Sequence, residues 1–298
     1  MVLVPVRKRA RCLPGMHLPR AVKINHSFPF SPFVLPLRSP FSMSLSIRGR
    51  AATRAAAVHF LASVLVAVLA AALVFGLWYP YPYRELAGGR ELFLIVVAVD
   101  VVCGPLLTLV LFNPRKSRRE LFLDLSLVAL VQLAALGYGL YTVAQARPVY
   151  LVFEVDRFKV VTAADIQPGA LKPETSGLHV LSWTGPTIIG VRDPRNSDEK
   201  LQSLDLSIQG LEPSARPDWW QAYELSKPQV LKRAQPIDAL RKKQPGAVSL
   251  IDQAVAESGT GESALGWVPL TSFRSTSWVA FVDLKTAEVL AFAPVDGF

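Results

Sequence analysis

The sequence predicts a membrane protein: three transmembrane α-helices followed by a periplasmic α+β domain. Three observations carry this expectation. Apolar stretches at about 57–78, 92–112 and 121–143 are each long enough to cross a bilayer, since about 20 apolar residues at ~1.5 Å rise cover a ~30 Å hydrocarbon core. Basic residues are distributed unevenly around those stretches. After residue 146, short β-rich runs flank a charged middle with helical spacing.

The charges set the orientation. Arg48, Arg50 and Arg54 precede the first stretch, and Arg115, Lys116, Arg118 and Arg119 lie between the second and third. The loop from Tyr79 to Glu91 holds only Arg84 and Arg90, each beside a carboxylate, Glu85 and Glu91. Positive residues stay on the cytoplasmic side, so the N-terminus is expected in the cytoplasm of a bacterial cell. Three crossings of the inner membrane then put everything after Gln145 in the periplasm. Trp78, Tyr79, Tyr81, Tyr83, Tyr138 and Tyr141 are expected to form an aromatic belt at the outer interface.

A formal net charge of +9 ordinarily suggests nucleic acid, but here it is local. Residues 1–42 hold seven basic residues and no acid, which leaves 25 bases against 23 acids in the rest. No nucleic-acid partner is therefore expected; the bilayer is. That leader is proline-rich and aperiodic, and it runs into Met43-Ser44-Leu45-Ser46-Ile47-Arg48. It reads as a disordered extension upstream of a translation start at Met43, with 43–146 as the transmembrane domain and 147–298 as the periplasmic domain. Cys12 and Cys103 are the two cysteines, one in the leader and one in an apolar stretch, so no intramolecular disulfide is expected.

Polar residues inside the apolar stretches are the main candidates for function, because a charge in hydrocarbon is costly and usually paired or turned inward. Asp100 lies about 12 Å below the outer face by helical rise. Gln132 reaches a similar depth on the third stretch, and a hydrogen bond between the two is expected. Near the cytoplasmic face His59 and Asp124 are placed to pair, with Arg118 or Arg119 as other partners for Asp124. Gly104-Pro105 is expected to kink the second helix, with Thr108 satisfying a freed carbonyl. Ala135 and Gly139, four apart, allow close helix approach. Asp100 reads as a bundle hydrogen bond or as a docking point for another helix. Ion transport is disfavoured, as three spans offer no paired repeats around a midplane site.

In the outer part, 149–155 and 158–161 read as a hairpin, and Thr162–Asp165 as a helix start. A strand is expected at 187–191 and a helix over 196–209 with apolar spacing at Leu201, Leu204 and Ile208. Ser226-Lys227-Pro228 reads as a helix cap, opening a helix of about 228–242 disturbed at Pro236, with another helix at 247–257. Strands follow at 266–270, 278–284 and 288–292. Trp219-Trp220 reads as core or as an interaction edge. Catalytic signals are weak. Ser197-x-x-Lys200 lacks its companion motifs, Gly259–Ser263 lacks the lysine of a phosphate loop, and His179 stands alone, which excludes a multi-histidine metal site. The sole charged cluster near an interface is Arg84, Glu85, Arg90 and Glu91, and its plain reading is a solvated turn with local ion pairs. No catalytic residue, cofactor or metal is assigned.

Several segments together resemble the TfpX/TfpZ family of type IV pilin accessory proteins. They are Trp78-Tyr79-Pro80, Glu85-Leu86-Ala87-Gly88-Gly89-Arg90-Glu91-Leu92, Asp100–Thr108, Gln145-Ala146-Arg147-Pro148-Val149-Tyr150 and Phe153–Phe158. The resemblance runs from about Met43 to the end and leaves residues 1–42 outside it. It implies an inner-membrane, chaperone-like factor, not an enzyme, that helps a cognate major pilin accumulate or enter a type IV pilus, alone or with the pilus assembly machinery. The helix bundle around Asp100, Thr108 and Gln132 is then expected to hold the pilin helix while the outer domain reads its head. A membrane-anchored sensor signalling through a partner, or an enzyme at the outer face using Glu85, Arg90 and Glu91, are the other classes.

Overall fold

A computed structural model describes residues 41–167 and 181–298, with side chains from Arg48 onward. The expectations for the leader before Phe41 and for His179 lie outside the described residues. Among the described residues, three helices are long and apolar enough to cross a membrane. Helix α1, Phe41–Leu73, runs into a π-helical turn, Val74–Trp78. After one short helical turn, α2 (Tyr83–Leu86), come α3, Gly89–Leu111, and α4, Arg118–Gln145.

Each end has a local cause. Gly88 adopts φ +72°, a left-handed conformation that suits glycine, immediately before α3. Ser117 caps α4 reciprocally: its hydroxyl accepts from the Glu120 N–H, and its own N–H donates to the Glu120 carboxylate. α3 continues as one helix through Pro105. α3 and α4 pack closely where small residues allow it. A Cβ on Gly139 would fall 2.6 Å from a Val96 methyl, and one on Gly104 would fall 2.0 Å from Gln132 Nε2. Ala135, expected to share this seam with Gly139, is exposed instead.

The rest is a mixed eight-stranded sheet with helices on both faces. In chain order the strands are β1 (Pro148–Glu154), β2 (Arg157–Thr162), β3 (Thr187–Val191), β4 (Trp220–Ala222), β5 (Gln235–Pro236), β6 (Leu265–Thr271), β7 (Trp278–Asp283) and β8 (Val289–Ala293). Across the sheet they run β4-β3-β1-β2-β6-β7-β8, with β5 also paired to β6. β1/β3 and β2/β6 are parallel, and the remaining pairs are antiparallel. The central strands are buried on both sides and so read as continuous apolar runs.

The pleat sorts side chains to two faces. Leu151, Phe153, Phe158, Val160, Val268, Leu270 and Ala280 face one side, under Val230 of α6 (Tyr223–Arg233). Leu265, Trp267, Val279 and Phe281 face the other, under Ile237 and Leu240 of α7 (Ile237–Lys243) and Ile251 and Ala254 of α8 (Val248–Glu257). The β1–β3 end of that second face carries Val152, Ile189, Trp219 and Trp220. Both tryptophans are therefore core. The predicted hairpin, the strand at 187–191 and the three later strands occur where expected. The helix placed at 228–242 is two, broken by β5 at Pro236. Its assigned cap, Ser226, is a fully buried residue inside α6, hydrogen-bonded to Gln221 at 2.8 Å. The helix start at Thr162 is a single 3₁₀ turn, Ala163–Asp165, with its own capping box.

Candidate functional site

α1 meets the α3/α4 pair near its two ends. At the deeper end His59 Nδ1 and Thr108 Oγ1 share a hydrogen bond of 2.6 Å. At the end nearer the sheet Ala70, Val74, Phe93 and Val143 close over Tyr79. Between them is a cleft of about 170 Å³ lined by His59, Ser63, Asp100 and Gln132 among small apolar residues such as Ala62, Ala67 and Ala129. That is comparable to a cavity that admits a benzene-sized ring. Asp100 and Gln132 do meet, but Gln132 Nε2 donates to the Asp100 backbone carbonyl at 3.0 Å. The Asp100 carboxyl is left lining the cleft. Gln132 Oε1 is buried with no hydrogen-bond partner among the described residues, a costly state for a polar atom.

The other expected pairings differ. Asp124 pairs with Lys116 at 2.5 Å rather than with His59, Arg118 or Arg119. Thr108 serves His59, not a carbonyl freed by Pro105. It lies two turns deeper than Asp100 and outside the cleft lining. Ser63 and the Thr108 tie to His59 had no sequence signal, because they depend on the rotation of α1 against α3.

The connection from Tyr79 to Gly88 is not a solvated turn. Tyr83 and Leu86 are buried in the sheet's first core face, among Leu151, Phe153, Val268 and Trp278. The Ser272 hydroxyl donates to the Leu86 carbonyl at 2.6 Å. Glu85, Arg90 and Glu91 are exposed on the outer side of this segment, and Glu91 lies 3.8 Å from Arg274 rather than pairing with Arg90. Nor do the tyrosines form one belt. Tyr79 and Tyr83 point inward, whereas Tyr81, Tyr138 and Tyr141 are exposed.

Segments distant in sequence converge here. The Tyr79 hydroxyl donates to the Val143 carbonyl at 3.0 Å, and its ring fills the space where Gly89 lacks a side chain. Arg147, buried between α4 and β1, donates to Ala144 O at 2.6 Å and to Ser182 O at 3.1 Å, and stacks 3.8 Å from the Trp183 ring. Trp183 in turn lies 6.0 Å from Trp78. Burial raises the Tyr79 hydroxyl pKa and lowers that of the Arg147 guanidinium. The joint ties the sheet to the C-terminal ends of α1 and α4 and the N-terminal end of α3.

On the sheet domain, the helix expected over 196–209 is α5 (Ser197–Ile208), and it leaves the helically spaced Leu201, Leu204 and Ile208 exposed. Beside it is a groove of about 530 Å³ with Leu201, Leu204 and Trp219 on its apolar side and Lys200, Lys232 and Arg233 among its polar lining. Arg192 spans Trp219 and Glu199: its guanidinium lies 4.6 Å from the ring and 2.7 Å from the carboxylate. The hydrogen bond from Arg192, then that from the Arg195 N–H, hold the Glu199 carboxyl at about pH 2, below its ordinary 4.5. Its folded value is depressed, so the stabilisation is full above pH ~4.5 and fades as pH falls toward 2. Glu199→Gln should therefore flatten the acid limb of a pH-dependent melting series below pH 5 and leave the neutral limb parallel to wild type. An unchanged acid limb would show that the pair does not contribute. Ser197 and Lys200 are both solvent-exposed at the start of α5.

The family described as Fimbrial assembly protein FimB matches residues 47–88, which cover most of α1 and the connection buried under the sheet. Fimbrial assembly protein, serogroup I, of Dichelobacter nodosus is 33% identical over 248 residues, 83% of this chain and 96% of that protein. Its serogroup E1 counterpart is 32% identical over the same length and the same shares. The protein of serogroups C1 and C2 is 44% identical over 115 residues, 39% of this chain and 88% of its own. No solved structure matches. With this much of both chains aligned, across the helices and the sheet domain alike, the protein belongs to the fimbrial assembly protein family.

Proposed function

We propose that the protein is an inner-membrane accessory factor that binds a cognate type IV pilin and assists its accumulation or assembly, without catalysis and without a cofactor. This is the role implied by the TfpX/TfpZ resemblance. The observation that carries it is the relationship, over 96% of its length, to a protein named for fimbrial assembly. The geometry supplies a means. A pilin subunit waiting in the membrane has an apolar helix in lipid and a folded head in the periplasm. The cleft beside Asp100 and Gln132 takes one side chain of a helix lying against α1, where small residues let the backbones approach. The groove beside α5, lined by Leu201 and Leu204 and by more basic side chains (Arg192, Lys200, Lys232 and Arg233) than acidic ones (Glu154 and Asp193), suits an acidic, apolar-edged surface on the head. Because the buried connection and Arg147 couple helices and sheet rigidly, the two contacts act together and raise effective affinity.

The test is crosslinking from native membranes with photoreactive residues at Ser63 and Leu204, alongside a count of surface pili. Both positions should capture the pilin. Replacing Asp100 and Gln132 together with leucine should weaken capture about tenfold, the equivalent of ~1.4 kcal/mol, at unchanged protein level. Normal capture and normal piliation in that variant would remove the cleft from the proposal. Absence of pilin from both crosslinks would remove the proposal itself.

A further inference from the structure

Phe273 is 91% exposed, in the loop between β6 and β7. That loop is held firmly. The Ser272 hydroxyl, bonded to the Leu86 carbonyl, also accepts the N–H groups of Arg274 at 3.1 Å and Ser275 at 3.0 Å. Arg274 lies against Gly88, where a Cβ would fall 2.2 Å from its Cδ, and reaches toward Glu91. The loop is thereby fixed beside the first turn of α3. One turn on, Leu94 and Ile95 are exposed on the part of the helix read as entering lipid.

Behind the loop is a cavity of about 550 Å³. Leu92, Ala146, Val160 and Phe273 supply apolar walls, and Thr162, Asp165, Ser272 and Arg274 supply polar ones, with the Asp165 carboxylate turned to the Thr162 N–H and hydroxyl. Leu92 opens the second apolar stretch and Ala146 follows the third, so the cavity straddles the level at which the chain passes from lipid to water. An aromatic ring held rigidly at that level gains by entering the headgroup and acyl boundary. A guanidinium beside it matches a phosphate in charge and geometry.

We propose that the β6–β7 loop and this cavity form a phospholipid seat in the outer leaflet, with Phe273 in the interfacial layer, an acyl chain along Leu92 and Ala146, and the lipid phosphate at Arg274. The proposal rests on the reading that α1, α3 and α4 cross the bilayer. It gives the sheet domain a second attachment to the membrane and fixes the height at which its α5 groove stands.

The experiment uses the full chain in nanodiscs of phosphatidylethanolamine and phosphatidylglycerol. Nitroxide labels are placed singly at native Cys103, at Phe273→Cys and at Lys285→Cys, with the other cysteines changed to serine. Lys285 is exposed at the far end of β7, roughly 20 Å away at ~3.3 Å per residue. Accessibility to oxygen and to a water-soluble nickel complex is compared at each site. Oxygen should dominate at 103 and 273, and nickel at 285. Oxygen at 103 with nickel at 273 would overturn the seat while leaving the spans intact. Nickel at 103 would overturn the spans and the seat with them. In native mass spectrometry, Arg274→Gln with Phe273→Ser should retain several-fold less bound phospholipid than the parent chain, and equal retention would overturn the assignment of the cavity.

Discussion

Leu86→Ala should destabilise the protein by about 2–5 kcal/mol, the range for emptying a fully buried leucine site. Leu86 is completely buried although it belongs to the connection between two helices, and it shares one core cluster with Tyr83 and with residues of strands β1, β6 and β7. Its carbonyl also takes the Ser272 hydroxyl, so a shift of this segment strains a hydrogen bond as well as opening a cavity. The measurement is thermal unfolding in detergent micelles combined with limited trypsin digestion. Arg84 and Arg90 flank the site with exposed side chains on a tightly held backbone. The variant should melt earlier and become cleavable at both, while Leu94→Ala, on the exposed face of α3, should match wild type. Equal melting and equal resistance in Leu86→Ala would show that the connection does not anchor the sheet to the helices.

Gly89→Ala and Gly137→Ala should change stability in opposite directions. Both lie in long helices, where alanine ordinarily gains about 1 kcal/mol over glycine. At Gly137 nothing lies within 4 Å of an added Cβ, so only that gain remains. At Gly89 the Cβ would fall 2.3 Å from the Tyr79 ring, itself fully buried and hydrogen-bonded to the Val143 carbonyl. The ring cannot yield without losing that bond, and overpacking of this kind costs ~1–3 kcal/mol. Melting temperatures of the two variants in the same detergent check the prediction. A stabilised Gly89→Ala would mean that the Tyr79 joint is loose.

These two sites also mark where sequence reasoning reaches its limit. The three long helices were legible because length and apolarity are local properties, and the hairpin at 148–162 because a pair of adjacent β-rich runs is local too. The residues of the resemblance pointed to Tyr79, Gly88-Gly89 and Arg147 without saying that they touch. Leu86 sits among Glu85, Arg90 and Glu91, so its surroundings in sequence are those of a surface turn. Its surroundings in space come from strands more than 60 residues downstream. For α5 the spacing of Leu201, Leu204 and Ile208 gave the helix, and only the fold decided that this face stays uncovered.

Among the polar residues of the three long apolar helices, Asp100 and Gln132 were found from burial cost alone, and their proximity followed from helical rise. What the chemistry needs beyond that is rotational: which side of α1 faces α3, and whether Gln132 meets a side chain or a backbone carbonyl. The sequence by itself determined the three long helices, α5, α8 and six of the eight strands, because hydropathy and period are written residue by residue, whereas α2, β4 and β5 carried no such signal. The tertiary structure alone decided that the first connection is sheet core, that His59 joins Thr108, and that Arg147 locks the two halves. Those choices belong to side chains brought together from distant parts of the chain, and packing and hydrogen-bond satisfaction select among partners that are equally available in sequence.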